Sequence, residues 1–171
     1  MERSTAYTAT ATPIAKFREV AVLFKLRLAS LVVVSAVLGY LIGIPVGSFS
    51  WMGILGLAIS GTLLTGASNA LNQVLEIKED GLMDRTQKRP LVQGTLSTAE
   101  AIAAALIAGG LATFMLWFQF GPLTGILAFL SMFMYVALYT PLKKHSSWAA
   151  FVGAFPGAFP PFTVRELDKV L

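Results

Sequence analysis

Residues 28–75 read LASLVVVSAVLGYLIGIPVGSFSWMGILGLAISGTLLTGASNALNQVL, and these 48 residues contain no Asp, Glu, Lys or Arg. A helix needs about 20 predominantly apolar residues to cross the hydrocarbon core of a bilayer. The stretch is long enough for two such helices, and Ile44-Pro45-Val46-Gly47-Ser48 supplies the break between them. The pattern therefore predicts spans near 22–44 and 51–75. A second charge-free stretch, 101–142, breaks at Gln119-Phe120-Gly121-Pro122 and predicts spans near 98–118 and 123–141. A third, 145–164, is shorter and carries Pro156, Pro160 and Pro161. It reads as a fifth span cut short or as a re-entrant segment.

The whole chain of 171 residues agrees with this reading. Hydrophobic types make up 56% and charged types 13%, about half the charged share of an ordinary soluble domain. An ordinary water-soluble enzyme is excluded, and so is a disordered chain, which needs low hydrophobicity and high net charge. Zero cysteines exclude a disulfide scaffold, a cysteine-ligated zinc site and a thiol nucleophile. One histidine excludes a site built on two. The expected fold is all-α, a polytopic transmembrane helical bundle of about four full spans plus a truncated fifth. A cleaved signal peptide is the plainer alternative for the first helix, but its apolar run exceeds the usual 7–15 residues.

Basic residues set the expected topology. Arg3, Lys16, Arg18, Lys25 and Arg27 flank the first span; Lys78, Arg85, Lys88 and Arg89 occupy the 76–97 loop; Lys143 and Lys144 follow the fourth span. The turns at 45–50 and 119–122 have none, so the counts run 5, 0, 4, 0, 2. The positive-inside rule then places the N-terminus, the 76–97 loop and the 143–147 loop in the cytoplasm or its equivalent; the expected location is the cell (inner) membrane. Trp51, Trp117 and Phe120 are expected in the outer aromatic belt. The partner implied by this pattern is the lipid bilayer, and no nucleic-acid partner is expected.

The segment 69–91, NALNQVLEIKEDGLMDRTQKRPL, carries the chemistry. Asn72, Glu76 and Asp80 are four apart, so on a helix all three face one way. Gly81 suits the helix end. A polar row leaving an apolar helix is costly against lipid and is best explained by a water-filled cavity. Two carboxylates at its mouth suit a hard divalent cation. Magnesium takes oxygen ligands, usually one or two carboxylates plus substrate phosphates. Arg85, Lys88 and Arg89 follow directly, and such cations match phosphate oxygens. Acid, metal and base together point to a diphosphate-bearing substrate. The alternative is a solvated charged loop that only enforces topology.

The same residues carry a family resemblance. Asn72, Glu76, Asp80, Met83, Arg85, Thr86, Arg89, Pro90 and Leu91 resemble the first signature of the protohaem IX farnesyltransferases, within the UbiA-type intramembrane prenyltransferase superfamily. The acidic triplet alone points only to the superfamily; the Arg-Thr-x-x-Arg-Pro-Leu tail is more specific to the haem branch. Tyr139-Thr140-Pro141-Leu142-Lys143-Lys144 resembles the family's Tyr-Thr-Pro-Leu-Lys-Arg. Gly153-Ala154-Phe155-Pro156-Gly157-Ala158-Phe159-Pro160-Pro161 resembles a second family run, and Lys25-Leu26-Arg27 a Lys-Pro-Arg motif in which Leu26 replaces proline. Glu76 stands where the superfamily often has Asp.

The resemblance implies the first half of a nine-helix prenyltransferase fold around a central cavity. It implies farnesyl transfer from farnesyl diphosphate to the vinyl group of haem B, giving haem O, with magnesium held by Asn72, Glu76 and Asp80. Arg85, Lys88, Arg89, Lys143 and Lys144 would then bind the diphosphate, and haem B would be substrate, not cofactor. Lys143 and Lys144 also fit a positive-inside anchor. His145 fits a haem ligand less well than a solvated loop histidine. Ser68 and Asn69 fit either the cavity wall or close helix packing. Gly109 and Gly110 fit packing, and Met132, Met134 and Tyr135 fit the core.

The expected organisation is a flexible cytoplasmic tail over 1–21, an incomplete transmembrane prenyltransferase domain over 22–162, and an atypical charged tail over 163–171. The departure at 163–171 carries the expectation of a missing C-terminal half. Two other readings stand beside the leading one. The first is a related membrane prenyltransferase with an aromatic or chlorin acceptor, and the second is an inactive membrane fragment that needs a second half.

Overall fold

The computed structural model describes residues 13–45 and 49–143. Every regular element among them is helical: α1 (Pro13–Leu23), α2 (Leu26–Gly43), α3 (Trp51–Leu75), α4 (Ile77–Asp80), α5 (Pro90–Gln93), α6 (Thr98–Phe120), α7 (Pro122–Phe133), a π-helical turn (Met134–Tyr139) and α8 (Thr140–Leu142). Four stretches are long and apolar enough to span a membrane: Leu26–Gly43, Trp51–Leu75, Thr98–Phe120 and Pro122–Leu142. They overlap the four expected spans, closely for the last three. The expected fifth span, Lys144, His145, the Gly153–Pro161 run, residues 1–12 and the 163–171 tail lie outside the described residues.

α3 is the central helix. It packs most extensively on α6 and α2, and also meets α7 and α1. Two apolar clusters hold the bundle. One joins Leu23, Phe24, Ala67, Ala70, Leu91, Leu96, Ala101 and Ala105. The other joins Ala36, Tyr40, Leu57, Leu116 and Ala128. Alanines are prominent in the first cluster, as expected where lipid removes the hydrophobic drive and helices associate by close packing. Gly109 fits this pattern, because a Cβ there would lie 2.8 Å from the Met132 sulfur, whereas Gly110 has open space around it.

Capping follows local chemistry. Ser50 accepts from the Gly53 N–H at the start of α3, and Ser97 with Glu100 forms a reciprocal capping box on α6. Gly94, at φ 72°, ends α5 in the left-handed conformation that glycine adopts freely. At the turn end, Trp51 is exposed and meets Phe49 edge-on, 5.0 Å between centroids. Phe120 instead turns inward onto Tyr40 at 5.9 Å, so it belongs to the core and not to a belt.

The first span differs from its expectation. The chain breaks at Phe24-Lys25, and residues 13–23, most of which the sequence assigns to the tail, form α1 against α3, α5 and α6. Lys25 adopts φ 50°, ψ 54°, a left-handed conformation costly for a residue with a Cβ. Breaking a helix orphans carbonyls. Here Gln73 Nε2 donates to Leu23 O at 2.6 Å and Asn69 Nδ2 to Phe24 O at 3.4 Å, so buried amides of α3 close the break. Phe24 then fills the space above Gly66.

Candidate functional site

The break before α2, the end of α3, the 81–89 loop and the end of the last span meet at one end of the bundle. α3 is interrupted at Glu76 (φ −112°, ψ 13°) and resumes as α4, yet its hydrogen bonds continue: Glu76 N–H to Asn72 O at 3.1 Å and Asp80 N–H to Glu76 O at 2.8 Å. The four-residue row therefore survives. Asn72, Glu76 and Asp80 are all buried.

The row is paired within the protein. Asn72 Nδ2 donates to Glu76 Oε2 at 2.9 Å, and Lys143 Nζ lies 2.6 Å from Glu76 Oε1. Arg89 forms an ion pair with Asp80 Oδ2. Thr140 Oγ1 donates to Asn72 Oδ1 at 2.9 Å. Around the row, side chains of the protein satisfy one another. An apolar cavity of about 60 Å³ does lie between α2, α3, α6 and α7, lined by Val33, Ala36, Leu57, Leu64, Leu116 and Ala128 among others, and the acid row is not part of its wall.

Loop geometry explains the Arg-Thr-x-x-Arg spacing. Thr86 is buried, and its Oγ1 donates to the Asp80 carbonyl at 2.8 Å. Backbone bonds from Thr86 and Gln87 to Met83 O, and from Arg89 to Thr86 O, wind the loop tightly. Thr86 so anchors the loop on the backbone of Asp80, and three residues later Arg89 reaches its carboxylate. Pro90 then starts α5 at a position where the missing N–H costs nothing. Arg85 and Lys88 are exposed, and neither has a hydrogen bond or ion pair among the described residues.

Lys143 sits 5.8 Å from the Tyr139 ring centroid, a cation–π contact beside its pairing with Glu76. Lys25 lies within electrostatic reach of Arg89, Asp80, Glu76 and Lys143. Burial and the Arg89 guanidinium hold its ammonium below the ordinary lysine value, against an opposing pull from the two carboxylates. Three cations and two carboxylates share the site, which leaves it net positive and suited to an anion. Ser68 bonds back to Leu64 O at 2.9 Å within its own helix and takes no part.

The donor set fits a hard cation. Carboxylate oxygens of Glu76 and Asp80 come from one helix face, and among the described residues no three His, Cys, Asp or Glu side chains gather. A cation here would complete its shell with water or an anionic ligand, which is the usual behaviour of magnesium.

Gln73, Thr86, Thr140 and Lys25 belong to this site without standing out as site residues in the sequence. Thr86 and Thr140 lie inside the motifs that carry the resemblance. The proline that Leu26 replaces is the one available signal for the break, since proline favours a helix start and Leu26 opens α2.

The chain is similar to known proteins over most of its length. Residues 30–164 match the UbiA prenyltransferase family. The chain is 41% identical over 162 residues to a protoheme IX farnesyltransferase of Christiangramia forsetii, covering 94% of this chain and 51% of the relative. It is 42% identical over 139 residues to that of Flavobacterium johnsoniae, covering 80% and 45%. The human mitochondrial protein of the same name is 36% identical over 139 residues, covering 81% and 31%. The chain thus spans about half the length of these bacterial relatives. No solved structure matches it.

Proposed function

This chain belongs to the UbiA prenyltransferase family, an integral membrane protein with four candidate spans, and from that premise we propose that it serves transfer of a farnesyl group from farnesyl diphosphate to a vinyl group of haem B. The observation that carries the reading is the pairing of Glu76 with Lys143 and of Asp80 with Arg89 at one end of an apolar bundle. A prenyl diphosphate has the matching form, an apolar tail with a polyanionic head.

Glu76 and Asp80 would hold magnesium, with Asn72 beside them. Magnesium would screen charge on the leaving diphosphate. Arg89 and Lys143 exchange their carboxylates for phosphate oxygens when the head group arrives, and Arg85, Lys88 and Lys144 add positive charge around it. This stabilises the charge that develops as the allylic C–O bond breaks and its electron pair leaves with diphosphate. The farnesyl cation is then captured by the vinyl carbon, and the cation this leaves on the adjacent carbon takes up water with loss of a proton to give the hydroxyethylfarnesyl group. The membrane is the cell (inner) membrane, with the 76–97 loop cytoplasmic.

The test uses membranes that contain the chain alone, or together with the segment of a bacterial relative that lies beyond the matched region. They are supplied with farnesyl diphosphate, haem B and magnesium, and haem O is measured. Magnesium-dependent haem O in either preparation supports the proposal. A prenylated aromatic product in its place would move the reading to another acceptor. No prenyl transfer in either would overturn it.

A further inference from the structure

The Tyr-Thr-Pro-Leu-Lys run carries a π-helical turn, Met134–Tyr139, directly before Thr140. Pro141 accounts for it. In an α-helix its ring would clash with the carbonyl four residues earlier, and a wider turn relieves that. Such turns recur at functional positions. The consequence is one of register: Thr140 and Lys143, three apart, face Asn72 and Glu76, four apart, so the two helices touch at two rungs, Thr140 to Asn72 and Lys143 to Glu76.

Thr140 is 1% exposed, and its hydroxyl lies 2.9 Å from both Asn72 Oδ1 and Tyr135 O. A hydroxyl has one proton to give. The Tyr135 carbonyl keeps the Thr140 backbone N–H as a partner, whereas Asn72 Oδ1 has no other donor among the described residues, so the proton satisfies an otherwise unmet acceptor when it goes to Asn72. The amide orientation follows from chemistry: Glu76 Oε2 needs a donor, so the NH2 must face it and the carbonyl oxygen must face Thr140. Asn72 accordingly holds Glu76 through its nitrogen.

We propose that Thr140 is a positioning residue: its hydroxyl locks the Asn72 amide, which fixes Glu76 Oε2 and leaves Oε1, the oxygen now paired with Lys143, as the one presented to a cation with its diphosphate. The inference rests on the metal–diphosphate reading above and adds to it a residue that touches neither ligand.

The chain is purified in detergent micelles and titrated with manganese, a paramagnetic stand-in for magnesium, in the presence of inorganic diphosphate. Free manganese is read by electron paramagnetic resonance. Thr140→Val keeps the shape and removes the donor, and manganese binding should weaken about ten-fold, the loss of one buried hydrogen bond. Thr140→Ser keeps the hydroxyl and should bind as the parent does, which a merely packing role for the threonine methyl would not allow. Should Thr140→Val fail to fold, Thr140→Ala carries the comparison. Parent-like binding by a folded Val or Ala variant overturns the positioning role and leaves the proposed function standing. No manganese binding by the parent chain overturns the metal–diphosphate reading itself, and this inference with it.

Discussion

Asp80 holds two connections at once: its carboxylate pairs with Arg89, and its carbonyl accepts from Thr86. Asp80→Ala removes the first and keeps the second, so the loop should stay wound while Arg89 loses its partner. With the rest of the fold supplied, haem O formation should be abolished while membrane insertion, followed by fractionation, is normal. Arg89→Lys tests the geometry of the cation. A planar fork serves two oxygens where an ammonium serves as a point charge. The farnesyl diphosphate requirement should rise roughly ten- to hundred-fold, the loss of a charged hydrogen bond worth about 1.5–3 kcal/mol. Unaltered kinetics would reduce Arg89 to a topological anchor. Lys25 makes a prediction in pH. Its folded-state pKa lies below the ordinary lysine value. Between the two values the unfolded chain binds more protons, so stability rises with pH through that window and is lowest below it. Melting curves in detergent at increasing alkaline pH should show this rise relative to Lys25→Met, which cannot titrate; parallel curves would remove the effect.

At the scale of the element, α3 is organised by what its small residues admit. A Cβ on Gly66 would lie 2.3 Å from the Phe24 ring and 3.0 Å from its Cβ, so the ring cannot simply swing aside. Gly66→Ala should therefore cost about 1–3 kcal/mol through overpacking, read as a lowered melting temperature in detergent. Gly110→Ala on α6 meets nothing within 4 Å and should be neutral or stabilising by up to about 1 kcal/mol, from helix propensity alone. Equal effects at the two positions would show that the packing at the Phe24 break contributes little. The break itself is hidden in the sequence because no glycine or proline marks Phe24-Lys25. Its causes are distant: Asn69 and Gln73, 45 and 50 residues away, supply the amides that close it.

For the whole molecule, the alternation of basic loops predicts sidedness. Gln87, exposed in the 81–89 loop, and Met52, exposed at the start of α3, are therefore expected on opposite faces of the membrane. In intact cells an impermeant thiol reagent should label Met52→Cys from outside and spare Gln87→Cys until the membrane is opened. The reverse result would invert the topology.

The four spans are legible in the sequence by itself, because 48 and 42 charge-free residues leave a chain in lipid no alternative to helix. The acid row is legible too, since a four-residue period is a property of one helix and survives the interruption at Glu76. Which cation meets which carboxylate is not. Arg85, Lys88 and Arg89 look equivalent along the chain, and only the turn anchored by Thr86 brings Arg89 inward. Lys143 and Thr140 lie 67 and 68 residues from their partners Glu76 and Asn72, and the π-helical turn before them sets which face they present. Periodicity and charge are local and can be read one helix at a time, whereas the pairing of side chains across helices is a matter of register, which exists only once the helices have packed.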